Sequence, residues 1–288
     1  MTTYRHIIFL IVIVVAFLSL NIDSVAPCLP SRIDGDENLL SSAYRAVESE
    51  GRDEINGLWK EIVHKESGIV LRLVPAGEFD MGSNSGEADE KPVHRVQISE
   101  PFYIGKYEVT QKQWKAVMGN NPGRWKGDNL PVERVSWKNA QEFCRKVGGD
   151  LPTEAQWEYA CRAGTNTKWS FGDATTKIGE YAWYRGNHQG KLHEVGQKSP
   201  NPWGLHDMHG NAWEWCRDWY ESNYYSRCAG GVTDPTGPGK GTSRVIRGGS
   251  IGSAAIHLRS ARRHKNSPDL KDDDLVSFRV VIPAEAVH

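Results

Sequence analysis

The segment NPWGLHDMHGNAWEWCRDWY, residues 201–220, constrains the fold of this chain more than any other feature. Its four tryptophans carry more ring surface than one short helix or strand can bury, and its glycines interrupt any regular periodicity. The segment therefore predicts an irregular loop structure that aromatic rings hold in place. Because irregular buried backbone leaves amide and carbonyl groups without partners, a bound metal ion is one common way to satisfy them.

Composition narrows the fold class further. A chain of 288 residues, of which 39% are hydrophobic and 10% aromatic, is long enough to build one large core. Eleven tryptophans and 29 glycines, against four methionines, disfavour a helical bundle and favour a loop-rich α+β domain. The formal net charge of −1 provides no overall field that would attract nucleic acid, so nucleic acid is not an expected partner.

One local basic cluster contains Arg259, Arg262, Arg263, His264 and Lys265. Such a cluster can bind phosphate or an acidic glycan. Aspartates at positions 269 and 272–274 follow closely, and they favour the simpler interpretation that the two groups of charges pair with each other.

The N-terminus carries a targeting signal. Arg5 precedes residues 7–20, which are apolar with one exception, a length typical of a signal-peptide core and short for a membrane span. Residues 1–26 are therefore predicted to be a signal peptide or an uncleaved N-terminal anchor, because Pro27 is a poor residue to follow a cleavage site. Either alternative places the protein outside the cytoplasm, as a periplasmic, secreted or membrane-anchored protein. Pro27 also disfavours lipidation of Cys28.

The rest of the chain divides into an arm and a domain. Residues 27–68 are polar with a weak helical pattern, which predicts a stalk or a helical arm. From Ile69 the apolar residues alternate, which predicts a strand, a turn at 75–77 and a second strand. Helix starts are predicted at Thr110 with Gln113, at Ser136, and at Thr153 with Gln156. The domain itself is predicted to span residues 69–284.

Four cysteines follow Cys28, namely Cys144, Cys161, Cys216 and Cys228. An exported protein can form disulfides from them, but their spacing does not give the pairing. The chain has no CxxC pair and no HExxH motif, so a zinc site has no support. His206 and His209 lie in the glycine-rich loop, where packing or surface roles are favoured over metal binding.

Seven motifs occur in order between Ile69 and Ile282. They are VPAGEFDMGS (74–83), YEVTQKQW (107–114), PVERVSW (131–137), LPTEAQWEYACRAG (151–164), NPWGLHDMHGNAWEW (201–215), RVIRGGS (244–250) and SFRVV (277–281). Together they resemble the formylglycine-generating enzyme family, whose members are the sulfatase-modifying-factor domains. The resemblance implies the family's loop-rich variant of the C-type-lectin-like fold, in which short antiparallel strands and a few helices frame a surface groove.

The resemblance fails at the copper site of active members. In those enzymes two cysteine thiolates hold copper, and the metal uses oxygen to convert a sulfatase cysteine to formylglycine. The cysteines normally lie three and eight residues after the serine of the GGS triplet, which is Ser250 here, and the matching residues are Ser253 and Leu258. Neither side chain can replace a soft thiolate ligand of Cu(I). Copper is therefore not expected, unless another cysteine folds into the groove.

The resemblance also implies a calcium site at Asp207, Gly210, Ala212 and Glu214. The family's site uses an acidic or amide side chain, two backbone carbonyls and a glutamate, and hard oxygen ligands of this kind are what Ca²⁺ requires. Calcium is therefore the expected cofactor. The alternative is that Glu214 only caps the loop or holds it through a salt bridge.

Two further family features lack counterparts in this chain. The family's other calcium site has no convincing match in residues 181–190. Cys144 and Cys161 match family positions, but their usual C-terminal disulfide partners are missing, since Val280 and Val281 end the SFRVV motif. The resemblance therefore implies that both are free thiols.

Three classes of function follow from these expectations. The first is a binding module that uses the groove, with His257, Arg259, Arg262 and Arg263 as the ligand-facing residues. The second is an enzyme of the wider superfamily, an oxidoreductase acting on a protein cysteine or on another substrate. Glu158 is one side chain available for catalysis, but spacing does not identify a nucleophile with a base and an orienting group. The third is an accessory protein of the cell envelope.

A narrower form of the binding hypothesis rests on residues 251–274. Small and mixed residues there replace the expected aromatic and polar run, while the flanking motifs stay intact. Variable proteins of diversity-generating retroelements use this fold with a hypervariable C-terminal surface. The expected partner is an extracellular or periplasmic protein, peptide or glycan, with membrane anchoring through the N-terminal segment as a further alternative.

Overall fold

Residues 40–288 are the part of the chain that this computed structural model describes, and their largest sheet has five strands. These are β1 (Tyr44–Ala46), β2 (Glu61–His64), β3 (Val70–Val74), β6 (Phe102–Gly105) and β12 (Val281–Pro283). Their order is β1-β2-β3-β6-β12, and every neighbouring pair is antiparallel. The sheet therefore joins the first and the last strands of the described chain.

Two smaller sheets complete the β structure of the described residues. One contains β7 (Trp213–Trp219), β9 (Arg244–Arg247), β10 (His264–Asn266) and β11 (Val276–Ser277). Its order is β10-β9-β7-β11, with β10 antiparallel to β9 and β11 parallel to β7. The other contains β4 (Gly77–Met81), β5 (His94–Ile98) and β8 (Val232–Thr233), in the order β4-β5-β8.

The three long helices, α1 (Gln111–Met118), α2 (Trp137–Lys146) and α3 (Glu154–Arg162), begin where the caps predict. The described residues also form the one-turn helices α4 (Ile178–Tyr181) and α5 (Tyr224–Arg227), which no cap predicted. Thr110 and Thr153 each form a complete capping box with the glutamine three residues later, and Ser136 accepts a hydrogen bond from the Asn139 amide. These local signals correctly predicted the three long helices.

The segment before residue 69 differs from the predicted stalk or helical arm. Within the described residues it contributes β1 and β2 to the five-stranded sheet, and all four β2 residues are buried. Ile62 is 0% exposed, and Leu58 and Trp59 pack against the same core. The helical prediction fails here because a short buried strand shows neither clear alternation nor a long apolar run. The domain therefore begins before residue 69.

The tryptophan-rich segment is irregular only in its first half. Residues 201–212 form turns and bends, as predicted, whereas 213–219 form strand β7. Pairing with β9 shifts register between Trp215 and Trp219, so the strand is itself distorted. The Trp215 ring is fully buried and its Nε1 donates to the Val135 carbonyl at 3.0 Å.

The cysteines of the described residues are buried and unbridged. Cys144 lies in the core cluster that also contains the stacked rings of Trp114 and Phe143, and Cys161 lies in the cluster around Trp157. Both thiols are therefore free, as the resemblance implied. No helix of residues 40–288 is both long and apolar enough to cross a membrane. The predicted signal or anchor and Cys28 lie outside these residues.

Candidate functional site

The site is built on a sharp turn that follows β9. Gly248 and Gly249 have φ angles of +94° and +82°, and a Cβ atom on Gly249 would lie 2.3 Å from Leu258 Cδ2. Only glycine therefore fits this turn. The Ser250 amide donates to Ser253 Oγ at 3.1 Å, and the Ser253 amide donates to the Ser250 carbonyl at 2.9 Å. These two bonds fix the position of Ser253.

A surface cavity of about 370 Å³ opens beside this turn, and we call it the GGS cavity. Its walls include Arg185, Trp213, Ser253, His257, Arg262 and His264. The sequence pointed to His257 and Arg262, but it gave Trp213 only a role in pinning the loop. Arg185 lies in no motif; it reaches the cavity through tertiary contacts, with its Nε donating to the Gly252 carbonyl at 3.1 Å.

A second cavity of about 530 Å³ adjoins the first, and we call it the Tyr220 cavity. Its walls include Glu87, Lys91, Tyr220, Arg262, His264 and Lys265. Arg262 and His264 line both cavities, so the two form neighbouring parts of one groove. Lys91 and Tyr220 come from loops more than a hundred residues apart, which is why sequence spacing did not group them.

The two copper positions have different surroundings. Ser253 lines the GGS cavity, whereas Leu258 is 0% exposed and packs with Trp169 and Ile178 in a small core cluster. No cysteine of the described residues lines either cavity of the groove. Burial raises the pKa of the Cys161 thiol to about 12 and keeps it protonated. Within residues 40–288, therefore, no other cysteine takes the place of the missing thiolates.

The four residues expected to face a ligand divide into two pairs. His257 and Arg262 line the GGS cavity. Arg259 is buried and binds Glu90 through both terminal nitrogens, at 2.6 and 2.7 Å. Arg263 is 1% exposed and binds both carboxylate oxygens of Glu154, at 2.7 and 2.9 Å. These two bidentate pairs hold both guanidiniums in place, and neither residue lines the GGS cavity. Arg263 does line the neighbouring Tyr220 cavity of the same groove.

The aspartates that follow the basic cluster do not neutralise it. Asp269 pairs with Lys138 at 2.7 Å, and Asp274 pairs with Arg124 at 2.6 Å. The expected local pairing is therefore wrong. The reason is topological: β10 pairs with β9, so the cluster meets Glu90 and Glu154, which are distant in the sequence, rather than its own neighbours.

Glu158, the other side chain considered for catalysis, lies in a buried ion network. It accepts hydrogen bonds from Arg162 Nη2 at 2.7 Å, from the Gly82 amide at 2.9 Å and from Arg247. Burial by itself would raise the pKa of Glu158, but the two guanidiniums outweigh it and hold that pKa below its ordinary value. A permanently ionised, fully bonded carboxylate in the core has a structural role and cannot serve as a general base.

The groove contains two imidazoles that are neutral at neutral pH. Partial burial lowers the pKa of both His257 and His264, and the charge of Arg262 lowers each further. The His264 ring lies against Trp213, with 5.2 Å between the ring centroids. Neutral imidazoles beside guanidiniums and a tryptophan can accept hydrogen bonds from a ligand and stack on it.

The implied calcium positions lie in the loop that precedes β7. Asp207 is buried; its Oδ2 accepts from the Gly196 amide at 2.7 Å, while its Oδ1 has no hydrogen-bond partner. Gly210 has a φ of +104°, and a Cβ there would lie 2.2 Å from the Trp183 carbonyl oxygen. Glu214 accepts from Arg279 at 2.6 Å on each oxygen and from Trp157 Nε1 at 2.8 Å.

The donor set fits a hard cation through Asp207. Burial raises the pKa of Asp207 to about 6, and its Oδ1 has no hydrogen-bond donor among the described residues that would stabilise the ionised form. Glu214 already has the Arg279 guanidinium as its partner, which matches the salt-bridge alternative. No cluster of three or more histidine, cysteine, aspartate or glutamate side chains in residues 40–288 is arranged to hold a metal. A calcium ion here would therefore depend on Asp207 and on the backbone carbonyls of Gly210 and Ala212.

The two histidines of the same loop have packing roles in this structure. His209 is fully enclosed: its Nε2 lies 2.9 Å from Ser170 Oγ and its Nδ1 lies 2.8 Å from the Leu258 carbonyl oxygen. Burial lowers the pKa of His209 to about 4. His206 Nδ1 lies 2.8 Å from the Lys198 carbonyl oxygen. Each ring is held by backbone or hydroxyl groups.

The fold and the groove define a loop-rich α+β domain of the C-type-lectin-like class. The structure is similar to that of Treponema denticola variable protein 1, with a TM-score of 0.70 and 30% identity over 75% of this chain and 95% of that chain. It is also similar to PvdO from Pseudomonas aeruginosa, with a TM-score of 0.67 and 27% identity over 76% of this chain and 95% of that one.

The sequence belongs to the formylglycine-generating enzyme family: residues 63–284 match the sulfatase-modifying factor enzyme 1-like domain. It is 32% identical to the formylglycine-generating enzyme of Streptomyces coelicolor, over 74% of this chain and 88% of that enzyme. It is 33% identical to the serine/threonine-protein kinase pkn1 of Chlamydia pneumoniae, over 68% of this chain. The match covers only 35% of the length of that kinase.

Proposed function

We propose that this protein is an extracytoplasmic binding module of the formylglycine-generating enzyme family, without copper-dependent cysteine oxidase activity. One observation carries the proposal: the two copper positions hold a hydroxyl that is bonded into the GGS turn and a leucine that is packed into the core. Cu(I) requires soft ligands such as thiolates, and neither side chain is one.

The groove supports binding rather than oxidation. It offers guanidiniums, neutral imidazoles and the rings of Trp213 and Tyr220, side chains that hydrogen-bond and stack. These are the groups that recognise a peptide or a glycan without chemical change. Glu158, the carboxylate considered for catalysis, is locked in its ion network and does not line the groove.

Calcium binding at Asp207 is the second part of this proposal. Asp207 would supply a carboxylate oxygen, with backbone oxygens from Gly210 and Ala212. Glu214, the fourth position that the family resemblance implies, keeps Arg279 as its partner. A bound Ca²⁺ supplies a positive charge that fixes an irregular loop. Its support is the buried Asp207 oxygen that lacks a hydrogen-bond partner.

Two other functions have specific support. An oxidoreductase acting on a protein cysteine is favoured by relatives that are named formylglycine-generating enzymes. A variable protein is favoured by the likeness to the Treponema denticola protein and by the position of residues 251–274, which include Ser253, His257, Arg262 and His264 of the groove. A template repeat and a reverse-transcriptase gene beside this gene would favour the variable protein.

The deciding experiment is mass spectrometry of a sulfatase-motif cysteine peptide after incubation with the purified protein, Cu(I), oxygen and a reductant. An active formylglycine-generating enzyme is the positive control. We expect no aldehyde product above the level of copper alone. Conversion at a rate near that of the control would refute the proposal. N-terminal sequencing of the protein from fractionated cells tests the location and separates a cleaved signal from a retained anchor.

A further inference from the structure

Strand β10 leaves one edge of its sheet without a partner among the described residues. It stands at the end of the order β10-β9-β7-β11 and pairs with β9 alone. His264 and Lys265 are exposed, so solvent and other molecules reach this strand. An exposed edge strand presents unpaired N–H and C=O groups, which are a template for an added strand.

The two cavities of the groove meet at this edge, where Arg262 and His264 line both of them. Successive side chains of a strand point to opposite faces of the sheet. His264 contacts Trp213 in the GGS cavity, whereas Lys265 Nζ lies 4.8 Å from the ring centroid of Tyr220 in the Tyr220 cavity. A strand added beside β10 would therefore direct its alternate side chains into the two cavities.

The charges around this edge favour an acidic occupant. Within residues 40–288, no carboxylate forms an ion pair with Lys91, Arg185 or Lys265, all of which line the cavities. The acidic side chains of the same walls are Glu87, which pairs with Arg262 at 3.4 Å, and Asp89, which accepts from the Tyr220 hydroxyl at 2.7 Å. Three cations of these walls therefore lack an ion pair among the described residues, against the single carboxylate of Asp89, so positive charge is in excess.

We propose that β10 binds an acidic peptide segment in extended conformation as an added strand, whose alternate side chains enter the GGS and Tyr220 cavities. This inference deepens the proposed binding function, on which it rests for the use of the groove. Backbone hydrogen bonds to β10 provide affinity, and Lys91, Arg185 and Lys265 select glutamate or aspartate side chains. A second copy of this chain fits the edge poorly, because antiparallel pairing of two β10 strands would bring their lysines together.

The test uses the full-length protein and fluorescent synthetic peptides of about ten residues, the length of an ordinary strand. The first peptide alternates threonine and glutamate, and a matched control alternates threonine and lysine. Two further versions of the glutamate peptide carry N-methyl groups on one or the other set of alternate residues. In an added strand only one set of amides faces β10, so we expect one methylated peptide to bind at least about tenfold more weakly and the other to bind unchanged.

Protein variants locate the site. Lys265→Glu is expected to lower the affinity for the glutamate peptide by at least about tenfold. Lys112→Glu, the same change at an exposed position of α1, is the control and should leave that affinity unchanged. Hydrogen exchange should slow at residues 264–266 when the glutamate peptide is bound. Equal binding of the two methylated peptides would overturn the proposal, because it would mean that only the charges are recognised. Self-association that competes with the peptide would overturn it in favour of a second copy.

These outcomes are separable from failure of the proposed function. Aldehyde formation in the oxidase assay would refute the binding-module proposal and leave the strand-addition result standing. Absence of a methylation effect, with no aldehyde formed, would refute strand addition alone.

Discussion

Replacing Arg279 with methionine is the sharpest test of how the tryptophan-rich loop is held. Arg279 is 0% exposed and donates to both Glu214 oxygens at 2.6 Å, to the Gly105 carbonyl at 2.8 Å and to the His206 carbonyl at 3.1 Å. Methionine fills similar space without the charge. The substitution leaves the Glu214 carboxylate buried with Trp157 Nε1 as its remaining donor.

The expected cost follows from the burial of this pair. Removing one partner of a buried ion pair costs about 3–5 kcal/mol, because the remaining charge is neither solvated nor paired. For a domain of this size each kcal/mol lowers the melting temperature by about 2–4 °C, so the Arg279→Met protein should melt about 6–20 °C below the parent. The Arg279 charge also lowers the pKa of buried Glu108 and Asp207, so its loss leaves those carboxyls less favourable to ionise as well.

Urea unfolding followed by tryptophan fluorescence measures the loss. Arg124→Met is the matched control, because Arg124 pairs with Asp274 at the surface and its removal should cost about 1 kcal/mol or less. In a double-mutant cycle, Glu214→Gln should cost much less in the Arg279→Met protein than in the parent. A loss below about 1 kcal/mol for Arg279→Met, or additive losses in the cycle, would refute the argument.

Three further predictions concern pH, calcium and backbone geometry. Burial raises the pKa of the Asp218 carboxyl to about 7, so the folded protein holds the carboxyl proton more tightly than the unfolded chain does. The folded state therefore loses stability as the pH rises from about 4 to 7. Asp218→Asn should therefore gain stability relative to the parent over that window, and an unchanged pH profile of urea midpoints would contradict this. Calcium at about a hundred times its Kd should raise the free energy of unfolding of the parent by about 2.7 kcal/mol and that of Asp207→Asn only slightly. Equal melting temperatures of the parent with calcium and with chelator would exclude the site. Gly210→Ala, which drives a Cβ towards the Trp183 carbonyl, should cost more than about 2 kcal/mol, whereas Gly230→Ala, with open space around it, should change the urea midpoint little.

The sequence correctly predicted the features of the fold that depend on contacts between residues close together in the chain. The caps at Thr110, Ser136 and Thr153 act within three residues, so their helices could be located without tertiary information. The motif order gave the family and the fold, because each motif keeps its local form. Ser253 and Leu258 could be placed beside the GGS turn for the same reason.

The partners of the basic cluster could not be predicted in this way. Arg259 meets Glu90 and Arg263 meets Glu154 across 169 and 109 residues, while the nearby aspartates pair elsewhere. The charge pattern of a sequence cannot distinguish a buried arginine in a bidentate ion pair from an exposed, unpaired arginine. In the sequence, each is an arginine with acidic residues nearby. Strand β2 was missed for a related reason: its burial on both faces comes from partners that are distant in the chain.

The five-stranded sheet also constrains how this protein can be made. Its edge strand β12 pairs Val281 with Ile104, and the Ser41 amide donates to the Val287 carbonyl at 2.7 Å. During synthesis, one edge of β6 therefore stays unpaired until residues 281–283 have left the ribosome. Long-range pairing of this kind is slow and exposes aggregation-prone edges, so a nascent chain stalled before residue 281 is a substrate for chaperones rather than a folded intermediate.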